Sequence, residues 1–184
     1  MKRCGVSLQA DCPGETDIRE LAEMPADDWQ ALFAGETDPF EIEHLHLSWR
    51  PKDVHFVLYS DGRAVSHVSV VLRHAVRVGG RRIDVTGVAG VITRPDLRRR
   101  GLAALLLQHA IRETQPRAGS AFALLFCRPD RAALYGRLGW MEVASAVHVE
   151  QPAGIIEAPL RTMVLPLRDE PWPSGAVWLD SRPW

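Results

Sequence analysis

Net charge is almost absent from this sequence: 22 basic residues stand against 23 acidic ones, leaving a formal charge of −1. That balance excludes a general polyanion binder, so any electrostatic function must be local. Long hydrophobic runs are absent as well, and no stretch approaches the ~18 apolar residues of a membrane span. Cysteine is sparse. Cys4, Cys12 and Cys127 form an odd set without a CxxC pair, which is ordinary usage for a reducing compartment. Cys127 closes an apolar run and reads as a buried free thiol. After Lys2 and Arg3 no apolar segment of signal-peptide length follows. A soluble cytoplasmic protein is therefore the expectation.

What is present suits one domain over residues 1–184. At 46% hydrophobic, a chain of this size can bury a core without disulfides or a structural metal. Residues 16–33 read as one or two short helices broken near Pro25, and 34–53 as a loop carrying acidic residues and a short helix. Strands follow at 54–60, 63–78 and 81–93. Asp61-Gly62 and Gly79-Gly80 supply the turns between them. Gly87 and Gly90 inside the third strand point to a bulge or a close backbone approach.

A helix is expected at 102–115, with apolar residues at 102, 105, 106 and 110 and Pro116 ending it. The continuous apolar run 121–127 reads as a strand buried on both faces. Asp130 is the expected N-cap of a short helix over 132–138, with Gly139 at its C′ position. Strands at 140–150 and 156–167 and a Pro/Trp-rich tail, 168–184, complete the chain. The order predicts a mixed α/β (α+β) domain with a central, mostly antiparallel sheet flanked by helices.

Four arginines, Arg94, Arg98, Arg99 and Arg100, fall within seven residues between the third strand and the long helix. The first backbone N–H groups of a helix have no intrahelical partner, and the macrodipole adds roughly half a positive charge there. Gly101 allows close backbone approach, and Ala103 keeps the next position small. Arginine adds bidentate donors. The arrangement fits a diphosphate. A solvated helix end and a nucleic-acid patch are the other readings, the latter opposed by the near-neutral chain.

The stretch VAGVITRPDLRRRGLAALLLQHAI contains Arg98, Gly101 and Ala103 at R-x-x-G-x-A spacing. It resembles the coenzyme A signature of the Gcn5-related N-acetyltransferases (GNAT). ALYGRLGW (133–140), 34 positions downstream from Gly101 to Tyr135, resembles the family's second signature, a tyrosine before a glycine–aromatic pair. Together the two span 88–140. The resemblance implies a sheet splayed at the coenzyme site and acetyl-CoA as co-substrate; no metal is expected, because no histidine pair has metal-ligand spacing. Val91, Ile92 and Thr93 would pair with the pantetheine arm. Arg98, Arg99, Arg100, Gly101, Leu102, Ala103 and Ala104 would hold the pyrophosphate. Tyr135 would stand at the thioester sulfur as general acid. A non-catalytic acyl-CoA-binding module is the alternative function.

Transfer to an amine needs a neutral amine, a polarised carbonyl and a proton for the departing thiolate. A backbone N–H can serve the second need and Tyr135 the third. For the base, Asp84, Glu36, Asp38, Glu41, Glu43, Glu142 and a water chain stay open. His44, His46, His67 and His74 read as structural histidines, without metal-ligand spacing.

Finer resemblances point to amino-sugar acceptors. FAGE (33–36), AVSHVSVVLRH (64–74) and the C-terminal tryptophans resemble the aminoglycoside 2′-N-acetyltransferases. WPSG (172–175) and VSHVSVVLRHAVRVGG are similar to stretches of the nodulation-factor N-acyltransferases. These imply a small-molecule amine acceptor, met by Glu36, Asp38, Asp84 and Trp184, and a homodimer. The near-neutral charge and the lack of a long apolar stretch set the expectation of no nucleic-acid or membrane partner.

Overall fold

The computed structural model describes residues 14–184; Cys4 and Cys12 lie outside them. Its core is a meander. β2 (Val54–Ser60), β3 (Arg63–Val78) and β4 (Arg81–Thr93) pair antiparallel, joined at Asp61-Gly62 and Gly79-Gly80 as the turn residues predict. Asp61, Gly62, Gly79 and Gly80 all take positive φ, which tight hairpin turns require. β5 (Phe122–Cys127) then joins β4 in parallel through the crossover helix α2 (Leu102–Ala118). Parallel strands need such a crossover.

Three further strands, β6 (Met141–Glu142), β7 (Val147–Gln151) and β8 (Gly154–Glu157), precede β9 (Arg161–Pro166), which pairs antiparallel with β5. β10 (Val177–Trp178), from the Pro/Trp-rich tail, slots between β3 and β7. The sheet order is β6-β9-β5-β4-β3-β10-β7-β8, with β2 also lying along β3. This is the mixed α/β, mostly antiparallel sheet that the element order predicts.

The strands expected at 140–150 and 156–167 each divide, the first into β6 and β7 and the second into the end of β8 and β9, and three further readings need correction. Residues Thr16–Leu21 form a strand, β1, which pairs with β2 along its whole length. Exposed charges at Asp17, Arg19 and Glu20 hide any strand alternation, while Ile18 packs on the core and the ladder satisfies the backbone. Pro25 thus precedes the helix α1 (Ala26–Phe33) instead of breaking one. α2 runs past Pro116 and ends at Gly119, whose N–H bonds the Gln115 carbonyl at 3.0 Å. A proline in a helix's last turn removes one hydrogen bond and leaves few turns to distort. Asp130 does not cap α3 (Ala132–Arg137). It sits in the 3-10 turn Pro129–Arg131 and pairs with Arg128 and Arg131 at 3.0 and 3.4 Å.

α2 lays Leu102, Leu106, Leu107 and Ala110 on the sheet face that presents Phe56, Val68, Val88 and Leu125. α1 covers the face of Val57, Tyr59, Ala64 and Ile92 with Leu32, Trp29 and Phe33. A third apolar cluster joins β3, β5, β7 and β10 around Phe122, Leu124, Leu179 and Trp184.

Candidate active site

The β4–β5 ladder runs only from Val85↔Phe122 to Val88↔Leu125. Beyond Val88 the two strands part. Two features of the sequence lie at the opening. Gly90 takes φ 57°, and one residue of β3 (Val68) stands against two of β4 (Gly90, Val91) between the pairs His67↔Ile92 and Ser69↔Ala89. This is a β-bulge, which bends the strand that carries it. Trp184 is the second. Its indole, 2% exposed, lies against Gly87 and donates Nε1–H to the Leu124 carbonyl at 3.1 Å. The glycine reading of the sequence therefore holds at both positions: a close approach at Gly87 and a bulge at Gly90.

A cleft of about 1950 Å³ occupies the opening. Val91, Ile92 and Thr93 line it from β4, Leu125–Arg128 from the end of β5, and Tyr135 from α3. At its other wall lie Arg98, Arg99, Gly101, Leu102, Ala103 and Ala104, where α2 begins. Gly101, at φ 78°, is the N-cap, and its carbonyl accepts the first helical bond from Leu105 N–H. The N–H groups of Leu102, Ala103 and Ala104 belong to the first turn, which lacks intrahelical acceptors.

The arginines of the turn divide. Arg94 forks onto Asp96 at 2.6 and 2.8 Å. Arg98 reaches the Glu36 carboxylate at 2.5 Å and the Thr93 carbonyl at 3.2 Å, which ties the acidic loop to the turn. Arg99 lines the cleft in a left-handed conformation, φ 65°. Arg100 is exposed and lies outside the lining.

Tyr135 is 7% exposed and meets Trp140 edge-on at 6.1 Å. Burial, reinforced by nearby Cys127 and opposed by Arg131, pushes its phenol well above the ordinary range. Cys127 is itself buried, and burial with the carboxylates of Glu142 and Asp130 pushes its thiol up to about 11. Both effects disfavour its thiolate at neutral pH.

The acids considered as bases or acceptor contacts are engaged elsewhere. Glu41 pairs with Arg128, Glu142 with Arg161 at 2.7 Å, and Asp84 with Arg73 across the hairpin. Asp38 accepts from the N–H groups of Ile42 and Glu43 at 3.2 and 3.0 Å and so holds its own loop. Glu43 starts the 3-10 turn Glu43–Leu45 and is exposed. Of these residues and Trp184, only Trp184 is part of the cleft lining.

Sequence reasoning passed over four residues that the fold brings to the cleft: Trp29, Trp49, Lys52 and His55. Lys52 is pulled down to about 8 by burial and the Arg50 charge. His55 Nδ1 lies 2.9 Å from His67 Nε2, and His67 Nδ1 lies 2.6 Å from the Gly90 carbonyl. His67 is fully buried, and desolvation drives it down to about 3, with the Gly90 bond opposing and His55 and Lys52 adding to the fall. The only signal for His55 was its place in an apolar strand beside Lys52.

Among the described residues no cluster of His, Cys, Asp and Glu gathers to hold a metal ion, and no helix is long and apolar enough to cross a membrane.

A helix start open to an anion, a strand that parts from its neighbour at a bulge and a buried tyrosine thus meet in one cleft. The model of the acetyltransferase (GNAT) domain matches residues 17–143. This chain belongs to the GNAT family. It is an acyltransferase of that fold. Solved GNAT structures share the architecture. An Escherichia coli GNAT-family N-acetyltransferase (YhbS) in complex with CoA superposes with a TM-score of 0.61 at 21% identity, covering 92% of each chain. The E. coli ribosomal-protein-S18-alanine N-acetyltransferase gives 0.54 at 20%, covering 85% of this chain and 97% of that one. A Brucella melitensis GNAT acetyltransferase in complex with acetyl-CoA gives 0.51 at 16%, covering 88% and 94%. Comparison with curated proteins found no match.

Proposed function

We propose that the protein transfers the acetyl group of acetyl-CoA directly to a primary amine of a small molecule, with Tyr135 as general acid. One observation carries this reading: the start of α2, the end of β4 released from β5 and Tyr135 line the same cleft. Its dimensions and donors fit the coenzyme. The first-turn N–H groups after Gly101, with Arg99 beside them, suit a pyrophosphate. The stretch Val91–Thr93, released from β5, offers backbone groups to an amide-bearing pantetheine arm. When bound, the coenzyme supplies the thioester whose carbonyl carbon the amine attacks. N–H groups on the opened stretch of β4 polarise that carbonyl. The Tyr135 phenol is protonated at neutral pH and is the proton source for the departing alkyl thiolate, with burial making it a weaker acid than a free phenol.

The acceptor we propose is an amino sugar. Trp29, Phe40 and Trp49 line the rest of the cleft, and such rings stack on the apolar faces of a sugar. Lys52 in the same lining opposes a second cation. A monoamine therefore suits this wall better than an aminoglycoside with several ammonium groups.

The test is thiol release from acetyl-CoA across a panel of amino sugars, aminoglycosides and simple amines, with Tyr135→Phe as control. Release with at least one amine supports the proposal. Tight coenzyme binding without release against every amine makes the chain an acyl-CoA-binding module instead.

A further inference from the structure

Of the acids only Glu23 and Asp130 line the cleft, Asp130 paired with Arg128 and Arg131, yet an ammonium ion must lose a proton before it can attack. The histidine pair on β2 and β3 supplies a candidate whose proton positions follow from its partners. The Gly90 carbonyl can only accept, so His67 Nδ1, 2.6 Å away, must carry the proton. His67 is fully buried beneath Trp29, whose ring meets it edge-on at 4.6 Å. A buried imidazole in such apolar company stays neutral, so its Nε2 holds a lone pair. That lone pair can only accept, so His55 Nδ1, at 2.9 Å, must be the donor. One ring atom remains. In the neutral ring His55 Nε2 is a bare lone pair, and His55 lines the cleft with Ser69, Gly90 and Tyr135.

We infer that His55 is the general base that takes a proton from the acceptor ammonium, and that His67 and the Gly90 carbonyl are the groups that fix its tautomer. The inference rests on the acetyl-transfer reading above. In the step, His55 Nε2 removes one proton from the ammonium, and the freed amine nitrogen bonds to the thioester carbon as the C–S bond breaks. The thiolate takes the Tyr135 proton, and the second nitrogen proton restores the phenol through water. Of the three ammonium protons, one stays on the amide, one ends on the thiol, and one leaves to water from His55. The balance needs no other reactant.

The device also accounts for the bulge. A Cβ at Gly90 would stand 3.0 Å from His67 Cε1 and 3.0 Å from Ser69 Oγ, so the carbonyl that anchors the relay depends on glycine there. Lys52 and Glu23 are the other charged groups at this end of the cleft, and His67 is the titratable group that faces His55 from β3. Burial and Lys52 both lower the pKa of His55, so it is unprotonated near neutrality.

The experiment pairs nitrogen NMR of the histidine rings with kinetics against an amine that the wild type acetylates. The ¹⁵N spectra should show His55 as the Nδ1–H tautomer in the wild type and a tautomer mixture in His67→Gln. His55→Gln should lower kcat by ~100-fold near neutral pH, the scale of a lost general base. It should leave coenzyme KM and coenzyme protection in a melting assay unchanged. The wild-type plateau of rate against pH should become a steady rise, as free amine replaces assisted deprotonation. Added imidazole should restore part of the rate to His55→Ala. A His55→Gln enzyme with wild-type kcat and an unaltered pH profile overturns the inference while leaving acetyl transfer intact. A wild type that acetylates no amine removes the underlying reading instead, and the two failures are thus distinct.

Discussion

The indole of Trp184 occupies the space that a side chain at residue 87 would need: a Cβ on Gly87 would fall 2.4 Å from Trp184 Cε2. β4 and β5 remain paired at Gly87↔Leu124, and the same indole donates to the Leu124 carbonyl. One ring therefore seats the tail one pair before the strands part, with Arg50 N–H bonding the Pro183 carbonyl at 2.9 Å and His74 Nε2 2.8 Å from that of Leu179.

Gly87→Ala should expel that ring. Overpacking of this kind costs ~1–3 kcal/mol, and the lost Trp184 bond adds about 1 kcal/mol. The expected result is a lower melting temperature with a red-shifted tryptophan emission. Trp184→Ala should cost ~3–5 kcal/mol by leaving a cavity in the same cluster. Unfolding curves by fluorescence and circular dichroism test both.

Gly101→Val should abolish coenzyme protection. The residue sits at φ 78°, where a β-branched side chain is strained by ~1–3 kcal/mol. The strain falls on the turn that aims the first N–H groups of α2. Thermal shift with and without acetyl-CoA measures this directly, and the apo melting temperature separates lost binding from lost fold. Protection that survives the substitution would place the diphosphate elsewhere.

Tyr135→Phe should lower kcat by ~100-fold with coenzyme binding retained, because the ring still packs on Trp140 and only the proposed proton source is removed. Steady-state kinetics at saturating acetyl-CoA decide it. Unchanged turnover would take Tyr135 out of the acid role.

The part of the site that was legible in the sequence is local. Arg98, Gly101 and Ala103 at fixed spacing, between an apolar strand and an amphipathic helix, mark the proposed anion site through backbone geometry that a few neighbouring residues determine. Turn chemistry at Gly79-Gly80 was legible for the same reason. What was not legible depends on long-range pairing. β1 reads as helix because its strand identity comes from β2, some forty positions away in register. His55 reads as an ordinary strand residue until β3 brings His67 beside it. Acidic residues of the 34–53 loop look like a pocket for a cation, yet the fold delivers Arg98 and Arg128 to Glu36 and Glu41. Charge complementarity between distant segments has no periodicity to betray it.

The relay carries a pH signature in stability as well. His67 titrates near 6.5 when unfolded and is held down to about 3 in the fold, chiefly by burial. The unfolded chain thus binds a proton that the folded chain refuses. By linkage, the stability this neutral ring contributes is fully present above about pH 6.5 and is lost progressively as pH falls toward 3. Carboxylates also titrate in that window, so the wild-type curve alone does not isolate the imidazole. His67→Gln does. Its amide can still donate to the Gly90 carbonyl, but it cannot take up a proton. Urea denaturation at intervals between pH 7 and 4 should show a steeper loss for the wild type, and a variant less stable at pH 7 but flatter across the window. Parallel slopes for the two proteins would mean that His67 is protonated in the fold, and with it the lone pair that orients His55 would be gone.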